Sequence, residues 1–114
     1  MSSITTHVQD LSLGRPARGV AVTLGLRSET GAWSHVARSV TDPNGRCHDL
    51  LPADQPLRPG IYCLKFASGD YFQARGVSCF YPEVLVTFQV AEGKEPCQIL
   101  LLLGPHSYTT SRGV

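Results

Sequence analysis

The C-terminal stretch CQILLLLGPHSYTTSRGV, Cys97 to Val114, restricts the fold more than any other part of the chain. Ile99 to Leu103 is an unbroken apolar run, far too short to span a membrane and closed by Gly104-Pro105, so it reads as a strand covered on both faces. A chain of 114 residues rarely covers both faces of such a strand alone. After the turn, Ser107 to Val114 is small, polar and β-branched rather than a charged tail. The expectation is a closing hairpin whose outer face meets another subunit.

The preceding chain is a succession of short alternating segments. Ile4, Thr6 and Val8 alternate with Thr5, His7 and Gln9, which places His7 on the face away from Ile4 and Val8. Leu13-Gly14-Arg15-Pro16 reads as a loop, and Val20, Val22, Leu24 and Leu26 form the apolar side of a second strand. Trp33 to Thr41 reads as a third, closed by the turn Asp42-Pro43-Asn44-Gly45, with Arg46 leaving that turn directly. The Pro-rich segment His48 to Pro59 reads as a loop with one brief strand near Asp49 to Leu51. Gly60 to Ala67 alternates again, with Tyr62, Leu64 and Phe66 on one face. Asp70 to Arg75 is the one helix expected, capped by Ser68 or Asp70 and stopped by Gly76. Pro82 to Ala91 is a further strand, and Glu92-Gly93-Lys94 turns into the closing hairpin. Seven or eight strands with one short helix predict an all-β, two-sheet sandwich in a single domain, 1–114.

Composition removes several functional classes. The net charge is +1 with acidic and basic residues interspersed, so no clustered basic face for nucleic acid is expected. The start, MSSITTHVQD, lacks a basic region followed by an apolar stretch, and no apolar segment reaches spanning length. A cytoplasmic protein without membrane contact is expected. Cys47, Cys63, Cys79 and Cys97 are scattered without the close pairs of a zinc or redox site. Their even number permits disulfides, but reduced thiols fit a chain with no export signal. No metal or cofactor is expected.

Five stretches together resemble one family. Thr5-Thr6-His7-Val8, Ser12 to Ala17, Asn44-Gly45-Arg46-Cys47, Cys79-Phe80-Tyr81-Pro82 and Leu101 to Val114 are similar, in order and spacing, to the 5-hydroxyisourate hydrolases, the transthyretin-related proteins of urate breakdown. The resemblance runs the whole length. It implies a transthyretin-like, eight-stranded sandwich with a short helix, assembled as a homotetramer, a dimer of dimers. Strands of paired subunits would extend the sheets, and a central channel between dimers would hold the active sites and a urate-derived or similar heterocycle.

Carried over residue by residue, the resemblance assigns a catalytic histidine to His7 and a catalytic arginine to Arg46. The family's second histidine falls where this chain has Gln98, and its closing Tyr-Arg-Gly-Ser falls on Ser111, Arg112, Gly113 and Val114. Hydrolysis of such a ring adds water to a carbonyl and breaks a C–N bond, which needs a base for the water and a proton donor for the departing nitrogen. Imidazole, with an unperturbed pKa of about 6.5, serves both needs. Gln98 hydrogen-bonds but cannot shuttle a proton, so it is read as orienting water. His106 is a candidate substitute. Arg46 and Arg112 present planar, permanently charged forks suited to urate-like carbonyls and to the charge that develops on attack. Ser111 and Val114, smaller or more apolar than the family residues, imply a wider channel.

On pattern alone, His7 could be a solvated strand histidine, Arg46 a post-turn surface arginine and Arg112 a plain tail charge; the resemblance tips each toward the site. His35 and His48 read as surface residues, and Trp33, Phe80 and Tyr81 as packing aromatics. Three functions stay open: a 5-hydroxyisourate hydrolase with an altered proton-transfer set; the same fold and channel used for another ring-opening, cyclising or lyase step in specialised metabolism; and a non-catalytic carrier of a flat aromatic ligand.

Overall fold

The computed structural model describes residues 4–51, 57–91 and 96–113. Two sheets face each other. The first contains β1 (Ile4–Asp10), β2 (Arg15–Pro16), β5 (Arg46–Cys47), β8 (Cys97–Leu103) and β9 (Tyr108–Arg112), in the order β2-β1-β8-β9, with β5 also paired to β1. The second runs β4 (Trp33–Val40), β3 (Ala21–Arg27), β6 (Gly60–Phe66), β7 (Val84–Val90), and the helix α1 (Ser68–Ala74) follows β6. The sandwich is therefore as expected, with seven long strands and two two-residue ones.

Alternation builds the core. Ile4 and Val8 of β1, Val22 and Leu24 of β3, Tyr62, Leu64 and Phe66 of β6, Val84 of β7 and Leu101 and Leu103 of β8 are buried between the sheets. Only one face of β8 is covered within the chain: Ile99, Leu101 and Leu103 are buried, whereas Leu100 is half-buried and Leu102 is 39% exposed. Every pairing in the two sheets is antiparallel except one. β1 runs parallel to β8, from Ile4 beside Cys97 to Asp10 beside Leu103, and the Thr6 hydroxyl donates to the Ile99 carbonyl at 2.8 Å.

Local readings needed several corrections. Leu13 to Pro16 is more than a loop, because Arg15 and Pro16 fold back on Asp10 and Gln9 as a tight hairpin. No strand forms at Asp49 to Leu51; Leu50 and Leu51 are buried there, and Asp49 accepts from the Ser39 hydroxyl. The helix begins two residues early, and neither Ser68 nor Asp70 caps it: Ala67 is the N-cap, without a side-chain bond, and the buried Ser68 hydroxyl donates to the Tyr81 carbonyl instead. Its end is as expected. Gly76 adopts φ +73°, and Val77 N–H to Phe72 O with Gly76 N–H to Gln73 O closes the helix as a Schellman motif. The aromatics Trp33 and Phe80 are not core residues, at 48% and 69% exposed. The expected turn Glu92-Gly93-Lys94 lies outside the described residues.

One polar knot ties the helix to the first sheet. The Asp10 side chain is fully buried and accepts five hydrogen bonds: Ser12 N–H, Ser12 hydroxyl and Leu13 N–H on Oδ1, and the Tyr71 hydroxyl and Arg75 Nη1 on Oδ2, the last at 2.7 Å. Burial pushes the carboxyl up, but the bonds from Ser12, Tyr71 and Leu13 outweigh it and hold its pKa below the usual value. Tyr71, itself desolvated and bonded to that carboxylate, is pushed up to about 12.

Candidate active site on the outer face of the first sheet

The outer face of the first sheet brings His7 and Arg46 together. Thr5, His7 and Gln9 are half-buried on the side of β1 away from the core. Arg46 is the cross-strand partner of His7 in the antiparallel β1–β5 pair, and Leu100 is its partner in β8, where Leu100 in turn pairs with Ser111 of β9. Partners in adjacent strands point to the same side, so Arg46, His7, Leu100 and Ser111 form one rung across four strands. Gln98, beside Thr5, lies one outer-facing position away.

The turn before Arg46 sets this rung. Asp42 accepts from the backbone N–H groups of Asn44 at 2.9 Å and Arg46 at 3.0 Å, and the Arg46 bond is the main reason its pKa is lowered. Gly45 sits at φ +76° with its carbonyl taking the Val8 N–H at 2.7 Å; a Cβ there would run into the Val8 carbonyl. Only glycine supplies both the left-handed conformation and the close approach. The Asn-Gly pair thus presses the turn onto β1 and delivers Arg46 next to His7.

The surroundings of His7 favour its neutral form. Burial lowers its pKa first and the Arg46 guanidinium second, opposed by a hydrogen bond to the Asn44 backbone and by the Asp42 charge. Its Nε2 lies 3.2 Å from Nε2 of Gln9, two residues along the same face. Gln98 packs on the tail: Gly113 N–H donates to its carbonyl at 2.7 Å, and a Cβ at Gly113 would come within 2.6 Å of the Gln98 Oε1. The Arg-Gly ending therefore leaves room for the Gln98 side chain.

The remaining candidates are not part of this rung. Arg112 pairs with Ile99, whose side chain is buried, so it belongs to the opposite side of β9; there it lines a cavity of about 180 Å³ with Val86, Phe88 and Cys97. His106 is exposed in the turn beyond the Leu103–Tyr108 pair, at least about 10 Å along the strand from the His7 rung. Val114 lies outside the described residues. Gln9 was missed from the sequence, although the two-residue period of a strand already places it next to His7. All four cysteines are free thiols, and among the described residues no three His, Cys, Asp or Glu side chains are grouped to hold a metal ion.

Residues 4–113 match the HIUase/Transthyretin family. The chain belongs to this family. Its relatives include the 5-hydroxyisourate hydrolase of Mus musculus, 40% identical over 113 residues, covering 98% of this chain and 95% of that protein. The fold of sea bream transthyretin in complex with thyroxine superimposes with a TM-score of 0.92 at 31% identity, covering 98% of this chain and 95% of the other. The 5-hydroxyisourate hydrolase of Klebsiella pneumoniae gives 0.84 at 31% identity, covering 100% and 94%. Membership of the HIUase/Transthyretin family accounts for the sandwich and for its short helix. No helix among the described residues is long and apolar enough to cross a membrane.

Proposed function

We propose that the protein is a cyclic-amide hydrolase that opens 5-hydroxyisourate in urate degradation in the cytoplasm, with His7 and Arg46 as its catalytic pair. The observation that carries this reading is their cross-strand pairing on the solvent-facing side of the first sheet, in a chain whose relatives include named 5-hydroxyisourate hydrolases. Neutral His7 takes a proton from water as the water oxygen bonds to the ring carbonyl carbon. Arg46 stabilises the charge growing on the carbonyl oxygen. The C–N bond then breaks, and the imidazolium returns its proton to the departing nitrogen, so one imidazole serves as base and acid in turn. Gln98 orients the water. Without a second imidazole, turnover should be about 10²- to 10⁴-fold below that of a two-histidine site. Stopped-flow decay of freshly made 5-hydroxyisourate tests the proposal: protein-dependent acceleration supports it, and decay at the buffer rate ends it.

Self-association belongs to the same reading. Leu100 and Leu102 leave an apolar strip beside the His7 rung, and β7 and β9 end their sheets as unpaired edges among the described residues. A homotetramer, with edges paired within dimers and the strips of two dimers facing, would cover both and enclose the heterocycle over His7. Ser111, Gly113, Val114, Arg112 and His106 are then the substrate-binding candidates, the last two from whichever subunit brings them to the rung. Sedimentation should give four chains per particle; a monomer would remove the enclosed site.

A further inference from the structure

We infer that Gln9 is a positioning residue that fixes the resting tautomer of His7: its carboxamide N–H donates to Nε2, the Asn44 carbonyl accepts from Nδ1–H, and the Nε2 lone pair is the one presented to the reaction. The two Nε2 atoms are 3.2 Å apart, and with the carboxamide nitrogen turned toward the ring it can only donate, which makes the ring atom facing it the acceptor. The bond to the Asn44 backbone needs a ring N–H, and with Nε2 taken that proton lies on Nδ1. The two contacts are compatible, since a neutral imidazole has one N–H to give and one lone pair to receive. Free histidine side chains favour the Nε2–H form, so the protein is holding the ring in its less favoured state. A water that displaces the amide meets a lone pair that carries no proton.

The surroundings leave few competitors for this role. The charged groups near His7 are Arg46 on β5 and Asp42 in the turn before it. β8 faces the ring with Leu100 and, at the neighbouring outer position, uncharged Gln98; β2 sets Pro16 beside Gln9; and Asp10 on the same strand points into the core. The Gln9 side chain is half-buried and makes no other hydrogen bond among the described residues, so substituting it should leave the sandwich intact.

The kinetic consequence rests on the hydrolase reading; the tautomer does not, which keeps the two separable. Nitrogen-15 spectra of the imidazoles, with the His7 signal assigned by its loss in His7→Ala, should report Nδ1–H in the unaltered protein and a shift toward Nε2–H in Gln9→Leu. Gln9→Leu should lower kcat about 3- to 10-fold, the worth of one hydrogen bond, with KM nearly unchanged. Gln9→Glu should raise the His7 pKa by about one unit or more, moving the acid limb of the rate profile upward with it. Gln9→Met serves if the leucine variant does not fold. An Nε2–H signal in the unaltered protein, or a tautomer ratio indifferent to Gln9→Leu, overturns the inference whether or not the protein hydrolyses 5-hydroxyisourate.

Discussion

His7 and Asp10 lie three residues apart on one strand and on opposite faces of it, and their surroundings differ in kind. Asp10 is sealed from water with five hydrogen bonds on its carboxylate, one of them from a guanidinium. His7 is only half-buried, its ring touched by one amide and one carbonyl, with a second guanidinium beside it that disfavours its charged form. A buried group with all of its bonding capacity used holds structure together. A partly solvated group with a shifted pKa and capacity to spare is free to do chemistry.

Substitutions on the two faces should separate these roles. Asp10→Ala should cost about 3–5 kcal/mol of stability, measured by urea unfolding, because it orphans the Tyr71 hydroxyl and backbone N–H groups and leaves Arg75 without its anion. The acid sensitivity has a defined sign: the folded pKa of Asp10 is below its unfolded value, so its contribution is complete above the unfolded pKa and is lost as pH falls through the folded one. A variant as stable as the parent would break the contrast. His7→Ala should do the opposite, lowering hydrolysis about 10²- to 10⁴-fold with little change in the unfolding midpoint.

Smaller effects sharpen the comparison. Restoring an imidazole by Gln98→His should raise turnover by about 10-fold or more, if a second proton carrier is what the site lacks; no gain would mean that His7 already performs both transfers without loss. The acid limb of kcat/KM should fall below pH 6.5, because the base is His7 with a lowered pKa, and Arg46→Ala should move that limb upward by removing the neighbouring positive charge. Gly113→Ala should have the least effect on folding, since the clash is chiefly with the flexible end of Gln98, yet it should lower turnover severalfold by displacing that side chain.

How far the sequence could be read differed between the two faces as well. Alternation marks β1, β3, β6 and β7 because each strand has one dry and one wetter side, a property local to a few residues. The Asn-Gly-Arg turn was legible for the same reason. The parallel pairing of β1 with β8 was not, since nothing in either segment encodes a neighbour more than 90 residues away. The Asp10 knot was invisible too: Tyr71 and Arg75 are ordinary helix residues until the fold lays them over the end of β1. Ser68 was misread as a cap because a hydroxyl near a helix start has several acceptors in reach, and tertiary packing gave it the Tyr81 carbonyl. Arg112 is a site candidate from its neighbours in sequence, and what the sequence does not show is that β9 places it on the rung of Ile99, across the strand from Ser111.

The parallel contact between β1 and β8 has a consequence for how the protein comes to exist. The imidazole leaves the ribosome some 93 residues ahead of the strand that lies beside it in the folded sheet. Until then β1 has an open flank, and the amide groups destined for β8 face water or a chaperone. The surface that carries the His7–Arg46 pair is therefore finished only when β8 has joined it, and a chain cut short before β8 should hold both side chains without the strand that lies beside them.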